Sequence, residues 1–182
     1  MWLGKAINRQ IFALIGSMLL AIVLLVWWYV KPDGRVNRAA TQVFAIAETL
    51  HRQYIGKPDY WGLNTDLVIN KKMLADNFYK KDKLVNALGK PILIGSGAEG
   101  SVVMPGEKSF DIVYSGLSLH ECVALVTHNY EQSKTLGLLQ ITIVGGNVSQ
   151  SFGWGEVRTL PVSRPEAKKF CKSNSTVIWT ME

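Results

Sequence analysis

Residues 11–54 decide the fold of this chain: they read IFALIGSMLLAIVLLVWWYV, then KPDG, then RVNRAATQVFAIAETLHRQY. The first 20 of them, Ile11–Val30, carry no charge. As a helix this run would be about 30 Å long, which is the thickness of a bilayer core. It ends in Trp27, Trp28 and Tyr29, aromatic residues that the membrane interface favours. We expect a transmembrane helix here; the alternatives are a cleaved secretory signal and a buried soluble helix.

The second part of the stretch is amphipathic. Apolar residues recur at steps of four and three, the spacing of one helix face. They are Val36, Ala40, Val43, Ala47, Leu50 and Tyr54. Lys31-Pro32-Asp33-Gly34 predicts a break or kink before this face. We expect a helix over Arg35–Tyr54 that continues from the membrane helix and packs one side on a globular domain, with His51 at the surface or the edge.

Charges on either side of the apolar run suggest an orientation. Lys5 and Arg9 precede it, and no acid occurs before Asp33. A short basic flank most simply stays in the cytoplasm. The expected division is therefore a cytoplasmic flank (1–10), a transmembrane helix (11–30) and an exported domain (31–182).

After Tyr54 the chain changes character. Residues 59–90 are loop-rich and basic, and short helical pieces are expected near Thr65–Asn70 and Lys81–Leu88. Their paired lysines, Lys71-Lys72 and Lys80-Lys81, would suit nucleic acid or lipid headgroups, but interleaved acids favour a solvated face.

Strand patterns dominate from Pro91 onward. Alternating or β-branched runs occur at Ile92–Ile94, Val102–Met104, Phe110–Tyr114, Leu139–Val144 and Val177–Met181. The first two flank a Gly-rich turn and predict a hairpin. Together the runs predict an antiparallel sheet with one polar-leaning face, on which the amphipathic helix can lie. The expected fold class is α+β.

Two short helices interrupt the strands. Ser118-Leu119-His120-Glu121 and Ser163-Arg164-Pro165-Glu166 are capping-box sequences. They predict helices that run to about Tyr130 and about Lys172.

Two motifs resemble catalytic or cofactor sites. Residues 95–100 match G-x-G-x-x-G, but β-branched residues and a proline follow where a dinucleotide site needs a helix, so a hairpin turn is favoured. His120, Cys122 and His128 lack the spacing of a zinc site. A Cys–His nucleophile is the enzyme hypothesis for this group, and packing or a disulfide is favoured over it.

Composition sets the outer limits. The chain has 182 residues, 48% of them apolar and 19% charged, which is enough for one domain with an appendage and excludes a disordered chain. It has two cysteines, Cys122 and Cys171, so a disulfide-rich scaffold is excluded. In an oxidising compartment the two would form a disulfide; the alternative is two separate buried thiols.

The order of these elements resembles the type IV pilin architecture. Local sequences narrow the resemblance to the type IVb pilins of conjugative-plasmid thin pili and, more distantly, the toxin-coregulated pilins. They are YWGLNTDLVIN (60–70), LVNALG (84–89), FDIVYSGLS (110–118) before Cys122, LPVS (160–163) before Cys171, and VIWT (177–180). The similarity covers about residues 36–182.

The resemblance implies that Cys122 and Cys171 are the disulfide pair that closes the family's D-region. It also implies subunits that polymerise through their N-terminal helices, and it carries over no catalytic, cofactor-binding or metal-binding residue. The N-terminus departs from the pattern. A pilin precursor is cleaved after a glycine and has glutamate fifth in the mature chain; here Arg9 is fifth after Gly4, and Ala21 is fifth after Gly16.

We therefore expect a non-enzymatic pilin-like subunit, a minor or accessory component of a type IVb pilus or a conjugative or secretion apparatus. It would span the bacterial inner membrane once, with its domain in the periplasm or on a surface pilus. Its expected partners are other pilins, pilus-assembly proteins and inner-membrane lipid, with homo- or hetero-oligomers forming through the N-terminal helix and no nucleic acid. The alternative is a membrane-anchored protein-binding module with a pilin fold that does not enter a filament.

Overall fold

The computed structural model describes residues 3–95, 108–154 and 158–182. The chain divides into two compact units, Met1–Arg35 and Val36–Glu182. In the described part of the chain, no helix is both long enough and apolar enough to cross a membrane.

Helix α1 spans Leu3–Tyr54. The amphipathic segment therefore continues from the apolar one, as predicted, but the break signal at Lys31–Gly34 does not end the helix. A proline removes one backbone donor, and the turns on either side of it can still form. The predicted apolar stripe is confirmed. Its residues from Val36 to Leu50 are at most 4% exposed, and Ala39 and Ile46 widen the buried face.

The second unit is built around an antiparallel five-stranded sheet in the order β3-β4-β7-β5-β6. The strands are β3 (Ile92–Gly95), β4 (Phe110–Leu117), β5 (Leu138–Gly145), β6 (Val148–Gly153) and β7 (Ser175–Met181). Strand β6 was not predicted, because VSQSFG lacks an apolar alternation. The predicted strand Val102–Met104 lies outside the described residues.

The sheet has an apolar inner face and a more polar outer face. Phe110, Ile112 and Tyr114 of β4 are fully buried in the core with the stripe of α1. The Tyr114 hydroxyl donates a hydrogen bond to the Ala39 carbonyl of α1 at 3.2 Å. On the outer face Asp111 and Thr180 are buried as well, although a polar-leaning face is usually solvated.

Residues 59–90 are partly as predicted. Helix α2 spans Thr65–Asn70, as expected, and the Asn64 side chain caps it by accepting from the Leu67 N–H at 2.8 Å. The predicted helix at Lys81–Leu88 is wrong. A small hairpin of β1 (Tyr79–Lys80) and β2 (Lys83–Leu84) occupies this segment.

Turn chemistry explains that difference. Beyond β2, the Asn86 side chain accepts from the backbone N–H groups of Leu88 at 2.9 Å and Lys90 at 3.0 Å. An asparagine that bonds the backbone after it competes with helix formation.

The two capped helices form, but both are shorter than predicted. Helix α3 spans Leu119–Val126 and helix α4 spans Arg164–Phe170. Ser118 and Glu121 make the full reciprocal capping box. At α4 the Ser163 hydroxyl oxygen accepts from the Glu166 N–H, which is the serine half of the capping box. The Glu166 carboxylate accepts from the Ser163 hydroxyl at 2.9 Å and not from the Ser163 backbone N–H.

Candidate functional site

The disulfide-closed segment is the first candidate site. Cys122 lies in α3 and Cys171 follows α4; their sulfurs are bonded, and their Cα atoms are 5.8 Å apart. Both cysteines are fully buried. The bond closes a segment that contains β5, β6 and α4, and α3 packs against α4. The disulfide alternative of the sequence prediction is therefore the one observed.

The bond also fixes the start of the central strand. Strand β7 begins four residues after Cys171 and pairs with β4 on one side and β5 on the other. The β5–β6 hairpin therefore joins the rest of the sheet through β7. Trp179 of β7 is fully buried and contacts Tyr114 edge to face, with ring centroids 4.9 Å apart. A tether at the base of β7 thus stabilises the connection between the two halves of the sheet.

A close backbone approach ties the same segment together. A Cβ atom on Gly145, the last residue of β5, would lie 2.2 Å from the backbone oxygen of Phe170 and 3.2 Å from Oγ of Ser175. No side chain fits there. Ser175 in turn donates to the Lys172 carbonyl at 2.9 Å, which closes the turn between α4 and β7.

Helix α1 and the loop after α3 meet through aromatic rings. The Phe44 ring lies 5.5 Å from that of Tyr130 and 6.5 Å from that of His128. The Tyr130 hydroxyl donates to the Leu125 carbonyl at 2.9 Å, and burial raises its pKa. This cluster fixes the disulfide-closed segment to the helix.

The candidate catalytic group is not assembled. The thiol of Cys122 is consumed by the disulfide, so it is not available as a nucleophile. His120 is exposed on α3, whereas His128 is half-buried and burial lowers its pKa. Within the described ranges, no three His, Cys, Asp or Glu side chains are placed to hold a metal ion.

The Gly-rich motif can be placed only at its first residue. Gly95 ends β3, and its φ of +146° together with the nearby Leu63 carbonyl requires a glycine. Residues 96–100 lie outside the described residues.

His51 lies at the edge, as predicted, whereas Asp111 is less exposed than predicted. His51 is half-buried at the edge of the core, with its ring 5.6 Å from that of Phe110, and burial lowers its pKa. Asp111 is fully buried and accepts a hydrogen bond from the Thr180 hydroxyl at 2.6 Å. Because Asp111 lies between Phe110 and Ile112 in an alternating strand, the sequence predicts an exposed carboxylate. Nothing in the local sequence indicates that this position is buried.

These features form a helix packed on a sheet whose C-terminal strand is tied by one disulfide. A family model described as bundlin matches residues 32–180, which include all of the unit Val36–Glu182 except its last two residues. The chain belongs to the bundlin family of type IVb pilins. As a pilin it is a structural subunit.

A solved pilin structure supports this fold. TcpA, a type IV pilin from the El Tor biotype of Vibrio cholerae, is 15% identical with a TM-score of 0.57. That match covers 82% of this chain and 99% of TcpA. A type IVb pilin from Salmonella typhi is 17% identical with a TM-score of 0.48, covering 78% of this chain and 95% of that one. Comparison with curated protein sequences gives no match.

Proposed function

We propose that this pilin is a minor or accessory subunit of a bacterial type IVb pilus or of a conjugative or secretion apparatus. Residues 11–30 would anchor it in the inner membrane, with residues 31–182 in the periplasm. The observation that carries the minor role is the charge of the N-terminal segment: Lys5 and Arg9 are present and no acid occurs before Asp33.

Charge decides how such a segment can pack against copies of itself. A bundle of identical N-terminal helices excludes water, so a buried charge needs an opposite charge beside it. Identical copies of this segment would bring Lys5 and Arg9 together without a carboxylate. Each unpaired cation would cost several kcal/mol. Copies placed among other pilins that supply acids avoid this cost, which favours a low number of copies in a mixed filament.

The apolar part of the N-terminal segment indicates that a binding partner lies along this helix. Between Ile15 and Leu25 the large apolar side chains of α1 are 47–68% exposed. An apolar surface of this extent requires lipid or other helices. Both fit the proposal, with lipid before assembly and neighbouring pilins afterwards.

The test is the composition of filaments. Pili sheared from cells that express the whole system would be quantified by mass spectrometry against labelled peptides. We expect this chain at a small fraction of the main subunit. We also expect Arg9→Glu, which places an acid against the acids of the other pilins, to lower its incorporation more than Arg9→Gln, the control that only removes the cation.

Two results would overturn the proposal. Filaments made mainly of this chain would make it the major subunit. Complete absence from filaments, with a stable complex in the membrane fraction, would favour the membrane-anchored binding module instead.

A further inference from the structure

A cluster of lysines lies on two tight turns of the second unit. We call it the basic turn surface: Lys71 and Lys72 after α2, and Lys80, Lys81 and Lys83 of the β1–β2 hairpin. All five side chains are exposed. Within the described part of the chain none of them forms an ion pair. Two acids, Asp76 and Asp82, occur between Lys71 and Lys83, so the segment keeps a net positive charge.

The two turns are held next to each other by one side chain. The Tyr79 hydroxyl, one residue before Lys80, accepts from the Leu74 N–H at 3.1 Å. It also donates to the Val68 carbonyl of α2 at 3.2 Å. Helix α2 packs against β2 as well. The turn that carries Lys71 and Lys72 and the hairpin that carries Lys80, Lys81 and Lys83 are therefore adjacent.

This arrangement is unfavourable for folding. Lys80 and Lys83 are directly paired across the hairpin, and like charges in that position are destabilising. Lys72 and Lys81 have φ values of +47° and +57°, a region where glycine or asparagine is preferred. Residues that work against stability are candidates for function.

Two large apolar side chains are exposed just after α1. Ile55 is 79% exposed and Trp61 is 70% exposed. The Gln53 amide at the end of α1 donates to the Met73 carbonyl at 3.1 Å, which places Ile55 near the turn of Lys72. Trp61 follows Tyr60, whose ring is 5.0 Å from that of Tyr54 on α1. Ile55 thus lies beside the turn of Lys72, and Trp61 follows a ring that packs on the same end of α1.

We propose that the basic turn surface binds an anionic phospholipid membrane, with the lysines at the phosphates and Ile55 and Trp61 in the interfacial layer. Phospholipid headgroups attract lysine as a point charge, and tryptophan is favoured at the interface. Residues 57–90 contain no arginine, the side chain that nucleic-acid sites favour for paired hydrogen bonds. An exposed isoleucine adds to membrane binding and adds nothing to phosphate recognition in a nucleic acid.

Sedimentation with vesicles tests this proposal on the full chain. The protein would be held in phosphatidylcholine nanodiscs, so that its apolar N-terminal segment is already covered by lipid. It would then be mixed with sucrose-loaded vesicles of phosphatidylcholine alone or with about a third phosphatidylglycerol. We expect sedimentation only with the anionic vesicles and a large loss at high salt. Empty nanodiscs are the blank.

Two variants separate charge from apolar contact. Lys80→Gln with Lys83→Gln should weaken vesicle binding about 30-fold, because each lysine near an anionic surface contributes about 1 kcal/mol to the binding free energy. It removes a repulsive pair, so the thermal midpoint should not fall. Ile55→Ser with Trp61→Ser should weaken binding at both low and high salt. The matched control is Lys168→Gln with Lys169→Gln, an exposed lysine pair in the regular helix α4, and it should change binding less than twofold.

Three outcomes would overturn the proposal. Equal sedimentation with neutral and anionic vesicles would remove the role of the phosphates. An equal loss of vesicle binding in the α4 control variant would show that binding depends only on the net charge of the protein. Tighter binding to a DNA duplex than to anionic vesicles, unaffected by the Ile55 and Trp61 changes, would assign the surface to nucleic acid.

Discussion

The contribution of the Cys122–Cys171 disulfide to the free energy of unfolding can be predicted quantitatively. The bond joins cysteines 49 residues apart. The loop-closure entropy that it removes from the unfolded chain corresponds to roughly 4 kcal/mol at 25 °C. Replacing both cysteines with alanine should therefore lower the free energy of unfolding by about 2–4 kcal/mol, the lower value allowing for residual structure in the unfolded state.

The measurement is urea unfolding of the full chain in a non-ionic detergent, followed by tryptophan fluorescence. Trp179, fully buried on β7, should contribute to this signal, which the chain's five other tryptophans share. Hydrogen exchange should accelerate first in β7 and the β5–β6 hairpin, because these strands depend on the tether at Cys171. Reduced wild-type protein is the control and should match the double variant. A loss below about 0.5 kcal/mol, or faster exchange in β3 before β7, would refute the role assigned to the bond.

Three further predictions concern the second unit. A fragment of residues 31–182 should unfold cooperatively, because the stripe of α1 and the sheet supply its core; a molten fragment by near-ultraviolet circular dichroism would contradict this. Gly145→Ala should lower the free energy of unfolding by about 2 kcal/mol or more, because the new methyl group meets the Phe170 backbone oxygen, and an unchanged urea midpoint would refute the close approach. His51 and His128 have pKa values lowered by burial, so the unfolded chain binds more protons and stability should fall as pH drops below about 6.5. Replacing both histidines with phenylalanine should flatten that pH dependence in thermal melts, and an unchanged slope would show that other groups cause it.

Elements with a strong period were predictable from sequence. The stripe from Val36 to Leu50 follows one helical face, and the runs in β4, β5 and β7 alternate as half-buried strands do. The start of α2 and the box at Ser118 follow from local capping chemistry. These signals are carried by neighbouring residues, so the sequence contains them directly.

The remaining features depend on contacts between distant parts of the chain. Strand β6 is polar and exists because β5 pairs with it. The segment after Lys81 has helical spacing, yet pairing with β1 and the turn at Asn86 override it. Asp111 is buried although it alternates with core residues, and its partner is Thr180 on the distant strand β7. The local sequence around Cys122 does not indicate its partner, which the fold places 49 residues away at Cys171.

Whether the N-terminal segment is cleaved tests the proposed minor role most directly. Peptide mapping and intact mass would be measured on the protein from inner membranes and from sheared filaments. We predict a membrane species that still contains Lys5 and Arg9, and only a small amount in filaments. A mature species that begins after Gly4 or Gly16, as the main component of sheared filaments, would contradict the account and make this pilin the major subunit.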